Sequence, residues 1–291
     1  MNYGQDFRSW KKKARHVVRR WAARRGWGRL PDFLIVGGQR CGTTSLYHYL
    51  RGHPQVLPAL QKEVHYFDEN FDKDISWYQA FFPVVPSMDP RRMLTGGRYL
   101  TGEASPYYMF HPHAPRRIAQ LVPDCKIIAL VRDPVERAYS HFTHKTRNKV
   151  EQESFEQAIE RELGMIDAEE AKLTADETYH SFAHRKLSYL SRGVYHRQIA
   201  RLFGYFGRRR VLVICSEDLF SDPGRVVAEA LRFIGVDDLS WTPSAFPKRN
   251  FEGQKTAMKP ETREFLVRFF HTHNEHLSDL LGRTFPWQQA A

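Results

Sequence analysis

The stretch FLIVGGQRCGTTS, Phe33 to Ser45, limits what this chain can fold into more than any other feature. An apolar run enters a glycine pair, and TSLYHYLR (44–51) then carries apolar residues at helical spacing. Strand, glycine turn and helix in that order make the unit on which phosphate loops are built, because the turn and the helix N-terminus aim backbone N–H groups at an anion. The triphosphate version reads G-x-x-x-x-G-K-[ST], its Lys reaching the β- and γ-phosphates. Gly37 and Gly42 keep that spacing, but Thr43 stands in the Lys slot. The loop's basic residue is Arg40, ahead of Gly42. The pattern points to a phosphate-like ligand other than a triphosphate.

The rest of the chain continues the α/β alternation. RYLTGE (98–103), CKIIALV (125–131) and RRVLVICS (209–216) are short, rich in branched residues and followed by turn or cap chemistry. Continuous apolar strands of this kind belong to parallel sheets covered on both faces. Helices are expected at 113–122, 135–147, 194–207, 224–234 and 260–281, the last opened by Pro260 and stopped by Gly282. The expected fold is therefore a P-loop-like three-layer α/β arrangement, with a central parallel sheet of about five strands and helices on both faces. The acidic stretch at 151–180 reads as a helical, solvated insert.

Of 291 residues 42% are hydrophobic, enough for one large core, and no internal repeat divides them. No run of eighteen apolar residues predicts a membrane span, and the N-terminus lacks the pattern of a secretory signal. Cys41, Cys125 and Cys215 are odd in number and far apart, which argues against a disulfide framework and a metal site, and favours a reducing, cytoplasmic setting. The net charge of +11 is concentrated: residues 1–29 hold ten Lys and Arg against Asp6, leaving the remainder, 30–291, at only +2. Within that arm Trp10, Ala14, Val17, Val18 and Trp21 recur at helical spacing. A basic amphipathic helix can lie on an anionic inner membrane surface, serve as a solvated tail, or dock on its own domain.

In open parallel sheets ligands sit beyond the strands' carboxyl ends, so those positions carry the site candidates. Arg132 follows CKIIALV, Pro134 opens a helix, and Ser140 lies about two turns along it. Such an Arg and hydroxyl can grip a second phosphate; an Arg–Asp surface pair is the plainer reading. In QKEVHYFD (61–68), an extended backbone would put Glu63 and His65 on one face and Lys62 on the other. Carboxylate beside imidazole is general-base chemistry, or an ordinary ion pair.

Together FLIVGGQRCGTTSL, KEVHYFD, GEASPYY and IIALVRDPVERAYSHF carry a resemblance from about Pro31 to Trp287. The chain resembles the sulfotransferases that use 3'-phosphoadenosine 5'-phosphosulfate (PAPS), specifically the carbohydrate branch with the heparan sulfate sulfotransferases and bacterial relatives. The resemblance implies that Arg40, Cys41, Gly42, Thr43, Thr44 and Ser45 cradle the phosphosulfate. It assigns the 3'-phosphate to Arg132, Ser140 and Tyr195, and to Lys248 and Arg249 in PKRNFEGQK, although that loop has neither the Lys-Gly pair nor the cysteine bridge of many members. Glu63 is then the general base, His65 orients it or touches the acceptor, and Lys62 stabilises the transferring group. Arg40 stands where most relatives have a Lys, exchanging a compact ammonium for a planar fork. The implied acceptor is a carbohydrate or glycolipid, with no metal and no nucleic acid. Two rivals are a P-loop kinase or NTPase, which the absent Lys disfavours, and a non-catalytic polyanion-binding protein driven by the arm.

Overall fold

The structure, a computed structural model, describes residues 3–84, 99–236, 241, 243, 245–247 and 257–288. Five strands form one wholly parallel sheet: β1 (Phe33–Gly37), β2 (Val56–Pro58), β3 (Leu100–Ala104), β4 (Lys126–Val131) and β5 (Val211–Cys215), in the order β2-β3-β1-β4-β5. Phe33 is level with Gly102 on one side and Lys126 on the other. The chain moves from β1 to one side for β2 and β3, then crosses to the other for β4 and β5. The reversal opens a crevice at the carboxyl end of β1, where open α/β sheets bind ligands.

Strand residues alternate between two cores. Leu34, Val36, Ile127 and Ala129 pack with Ile118 of helix Ala114–Leu121 and with Ile199 and Leu202 of helix Tyr195–Phe206. Phe33, Ile35, Ile128 and Leu130 pack with Leu46 and Leu50 of helix Thr43–Leu50 and with Val227 and Leu231 of helix Pro223–Ile234. Apolar residues on both faces of each strand thus demand helices on both sides. The three-layer expectation holds, and β2 adds a three-residue edge strand that no branched run had marked.

A third core joins helix Pro134–Arg147 to helices Phe155–Ala175 and Pro260–Leu281 through Tyr139, Phe155, Ile159, Leu266 and Phe270. The acidic stretch is helical as expected, started by a reciprocal Ser154–Gln157 capping box, but it is not wholly solvated. Ala158, Ile159, Ile166 and Leu173 form a buried stripe that the surrounding carboxylates hide in an average of charge.

Residues Tyr3–Ala22 form one helix that docks on the domain by its polar side. His16 Nε2 donates to the Trp77 carbonyl at 3.1 Å, Arg19 to that of Phe81 at 3.3 Å, and Arg20 pairs with Asp74. Ala22 and Ala23 are buried at the turn that follows. Trp10, Val17, Val18 and Trp21 are each more than half exposed. Among the described residues no helix is long and apolar enough to cross a membrane.

Candidate functional site

The loop after β1 is held open by two glycines and one strained residue. Gly37 has φ +137°, and a Cβ there would lie 2.4 Å from the Leu130 carbonyl oxygen of β4. Gly42 has φ +89° and faces the Phe220 ring. Arg40 takes φ +77°, a left-handed conformation unusual for a long side chain and costly unless its surroundings enforce it. Here the Arg132 guanidinium donates to the Arg40 carbonyl at 3.3 Å, and Arg40 Nε donates to Ser140 Oγ at 3.2 Å. Helix Thr43–Leu50 opens on Gly42, which has no side chain to occupy the first-turn amides.

Arg40, Cys41, Arg132, Ser140 and Tyr195, distant in sequence, therefore meet at the sheet's reversal point. Tyr195 OH lies 3.7 Å from Cys41 Sγ, and burial pushes the phenol well up and the thiol up to about 11, so both are neutral near pH 7. The surface Arg–Asp pair is not formed. Asp133 instead caps helix Pro134–Arg147, accepting from Val135 and Glu136 N–H, and no carboxylate among the described residues pairs with Arg132. Thr43 and Ser45 are buried in the first turn beside Thr44. Lys248 and Arg249 lie outside the described residues.

Glu63 sits on a second loop at the same edge, because Glu63 N–H donates to the carbonyl of Ala104, the last residue of β3. This segment is not extended. Glu63 and His65 have φ +58° and +56°, and Lys62, expected on the far side, bonds directly to the Glu63 carboxylate. The kink comes from tertiary anchors: buried Glu103 accepts from Val64 N–H at 3.0 Å, and Tyr108 OH from Tyr66 N–H at 2.8 Å. His65 does face Glu63, with Nε2 3.6 Å from one carboxylate oxygen, while Nδ1 lies 2.7 Å from Asp68 Oδ2.

Burial alone would raise Glu63, but the contacts of His65 and Lys62 outweigh it and hold the carboxyl at about 2. Burial would likewise lower His65, but Asp68 and Glu63 carry it up to about 9. At neutral pH the group is thus a carboxylate between an imidazolium and an ammonium.

Sequence reasoning assigned no role to Asp68, Glu103, Lys145, Arg185, Lys186 or Arg192. Asp68 and Glu103 stand in quoted motifs, where a buried acid beside a catalytic candidate is the available signal. The cations converge only in three dimensions. Arg192 is buried over Tyr107 and Phe110 and reaches Gln39 of the first loop at 3.5 Å. Glu162, fully buried, accepts from the N–H groups of Leu190 and Ser191 and so fixes the turn before it. Burial, then the charges of Lys186, Arg192 and Arg185, push Lys145 down to about 7. Lys145 and Lys186 are thus in electrostatic reach of Glu63, while Arg185 pairs with Glu69 and Arg192 is buried.

Residues 30–263 match the model of the sulfotransferase domain family. The chain belongs to that family. As a sulfotransferase family member it is 31% identical to the mouse bifunctional heparan sulfate N-deacetylase/N-sulfotransferase 4 over 90% of its own length, and spans 31% of that relative. It is 26% identical to the membrane-associated sulfotransferase kil1 of Dictyostelium discoideum, covering 89% of this chain and 67% of that protein. The solved sulfotransferase of Alicyclobacillus acidocaldarius superposes with a TM-score of 0.69 at 28% identity, covering 90% of this chain and 99% of that one.

Proposed function

We propose that this family member transfers a sulfuryl group from PAPS to a hydroxyl or amine of a carbohydrate or glycolipid acceptor, in a cytoplasmic setting. The observation that carries the reading is the meeting of Arg40, Arg132 and Ser140 at an uncapped helix N-terminus, with the Glu63 carboxylate on the loop after β2 that is tied to the carboxyl end of β3. Two guanidinium groups without a triphosphate-type Lys suit a donor whose two anionic groups are separate. The donor supplies an activated sulfuryl group and a phosphate leaving group. The fit rests on residues of this chain: first-turn amides from Thr43 to Ser45, the Arg40 charge beside them, and Arg132, Ser140 and Tyr195 for the 3'-phosphate.

Glu63 takes the acceptor proton. It is ionised at neutral pH, the state a base requires, although its contacts with His65 and Lys62 leave it weakly basic. Turning Lys62 towards the charge that develops on the transferring group frees Glu63 and raises its basicity at the same moment. His65 orients Glu63; an imidazolium held by Asp68 cannot itself accept a proton. The Lys186 charge and the protonated share of Lys145, both in electrostatic reach of Glu63, favour an acceptor that carries a negative group near the reacting atom. The test is transfer of labelled sulfate from PAPS across glycans, glycolipids and small alcohols, with labelled ATP as the control donor. Label transfer from ATP alone, or from neither donor, would overturn the proposal.

A further inference from the structure

The N-terminal helix is amphipathic in the opposite sense to an ordinary surface helix. At 100° per residue its docking positions, His16, Arg19 and Arg20, lie roughly 150° around the helix from the ridge formed by Trp10, Val17, Val18 and Trp21. Polar atoms hold it to the domain, and the apolar ridge faces outward. Beyond the helix Trp27, also more than half exposed, meets Trp21 edge to face at 6.2 Å, and the Arg25 guanidinium lies 3.5 Å above the Trp21 ring. Exposed Lys13 borders the ridge on one edge, with exposed Lys11 and Arg15 on the other. Gly28 lets the chain pass close against Gln79, where a Cβ would lie 2.7 Å from its amide oxygen, so the turn is seated on the same helix, Ile75–Gln79, that receives His16 and Arg20.

From this arrangement we infer that the docked helix is a bilayer-binding surface for anionic lipid. Tryptophans and branched side chains on a ridge bordered by cations match the depth profile of a membrane interface, with rings at the acyl boundary and ammonium groups among the phosphates. A second copy is a poor occupant, since two arms of charge +9 would be brought face to face. The helix needs no folding on the membrane, because the domain already presents it. The support is shared with the acceptor loop: Trp77 and Tyr78 of the receiving helix stack on Tyr66, the neighbour of His65. The inference stands apart from the transfer chemistry, and either can fail alone.

The full chain is to be sedimented with phosphatidylcholine vesicles with and without about a third phosphatidylglycerol, while tryptophan emission is followed. The expected result is binding at least about tenfold tighter to the anionic vesicles, a blue shift on binding, and release as ionic strength rises from about 0.1 to 1 M. Val17→Glu with Trp21→Glu should lower that binding at least about tenfold while the melting midpoint and the rate on a soluble acceptor stay unchanged. Lys13→Glu with Arg15→Glu, both exposed and making none of the docking contacts, should do the same should the first pair fail to fold. Equal binding to neutral vesicles would overturn the inference, as would binding that survives both pairs. A monomer–dimer equilibrium abolished by Val17→Glu with Trp21→Glu would also overturn it, by assigning the ridge to a second copy.

Discussion

Glu63 and His65 are close enough to titrate together, and this makes their roles separable by experiment. Glu63→Gln keeps the shape and removes the proton acceptor, so turnover should fall about 10²- to 10⁴-fold while bisphosphate binding is retained. A loss within a few-fold in labelled transfer would shift the base to another group. His65 leaves its mark on stability. Its folded value of about 9 exceeds the roughly 6.5 of an unfolded histidine, so its contribution is complete below about pH 6.5 and disappears as pH rises through 9. The melting midpoint of the parent should fall over that window, and that of His65→Gln should fall less; parallel curves would show that the imidazolium is not held as described. Glu63 has the opposite sign, its contribution being lost as pH falls towards 2. Both residues were legible in KEVHYFD, but Lys62 was not placed correctly. Alternation of K-E-V-H looks like an extended segment, and nothing local announces two left-handed residues that backbone bonds to Ala104 and Glu103 enforce.

At the level of elements, the carboxyl end of β3 holds the loop of Glu63 and His65 through one carboxylate. Glu103 accepts from Val64 N–H, Ser105 Oγ, Tyr78 OH and Tyr108 OH, all within 3.0 Å. Glu103→Ala would leave these donors buried and unpaired, a loss of about 3 to 5 kcal/mol on the usual cost of unsatisfied groups. Urea unfolding should show that loss, and Glu103→Gln, which keeps an acceptor oxygen, a smaller one. Turnover should drop more than donor affinity, since Val64 lies between Glu63 and His65. An unchanged unfolding midpoint in Glu103→Ala would show that the clamp adds nothing. Strands β1, β3, β4 and β5 and most helices were readable because their periodicity reflects burial directly. The acidic helix was misread where one apolar stripe is outnumbered by charge, and β2 was missed because three residues on an edge have no period to read.

For the whole molecule, the two segments proposed to bind phosphate belong to different strands of one sheet, so a ligand that spans them should stiffen the entire domain. Adenosine 3',5'-bisphosphate at about 100 times its dissociation constant would add about 2.7 kcal/mol, several degrees in melting midpoint, and ATP much less. Equal shifts would mean that Arg132 and Ser140 do not read a separate phosphate. The strand order also governs how the chain is made. β1 is central, yet its neighbours β3 and β4 are encoded far downstream, with Phe33 level with Gly102 and Lys126. At about 5 to 20 residues per second, a ribosome emits β1 roughly 5 to 20 s before the end of β4 follows. Until β3 emerges FLIVG has neither pairing strand, and until β4 follows it still lacks one, on a nascent chain whose preceding segment is strongly cationic. Newly synthesised molecules should therefore depend on chaperone protection in proportion to how slowly residues 38–131 are translated, a liability fixed by topology before any substrate is met.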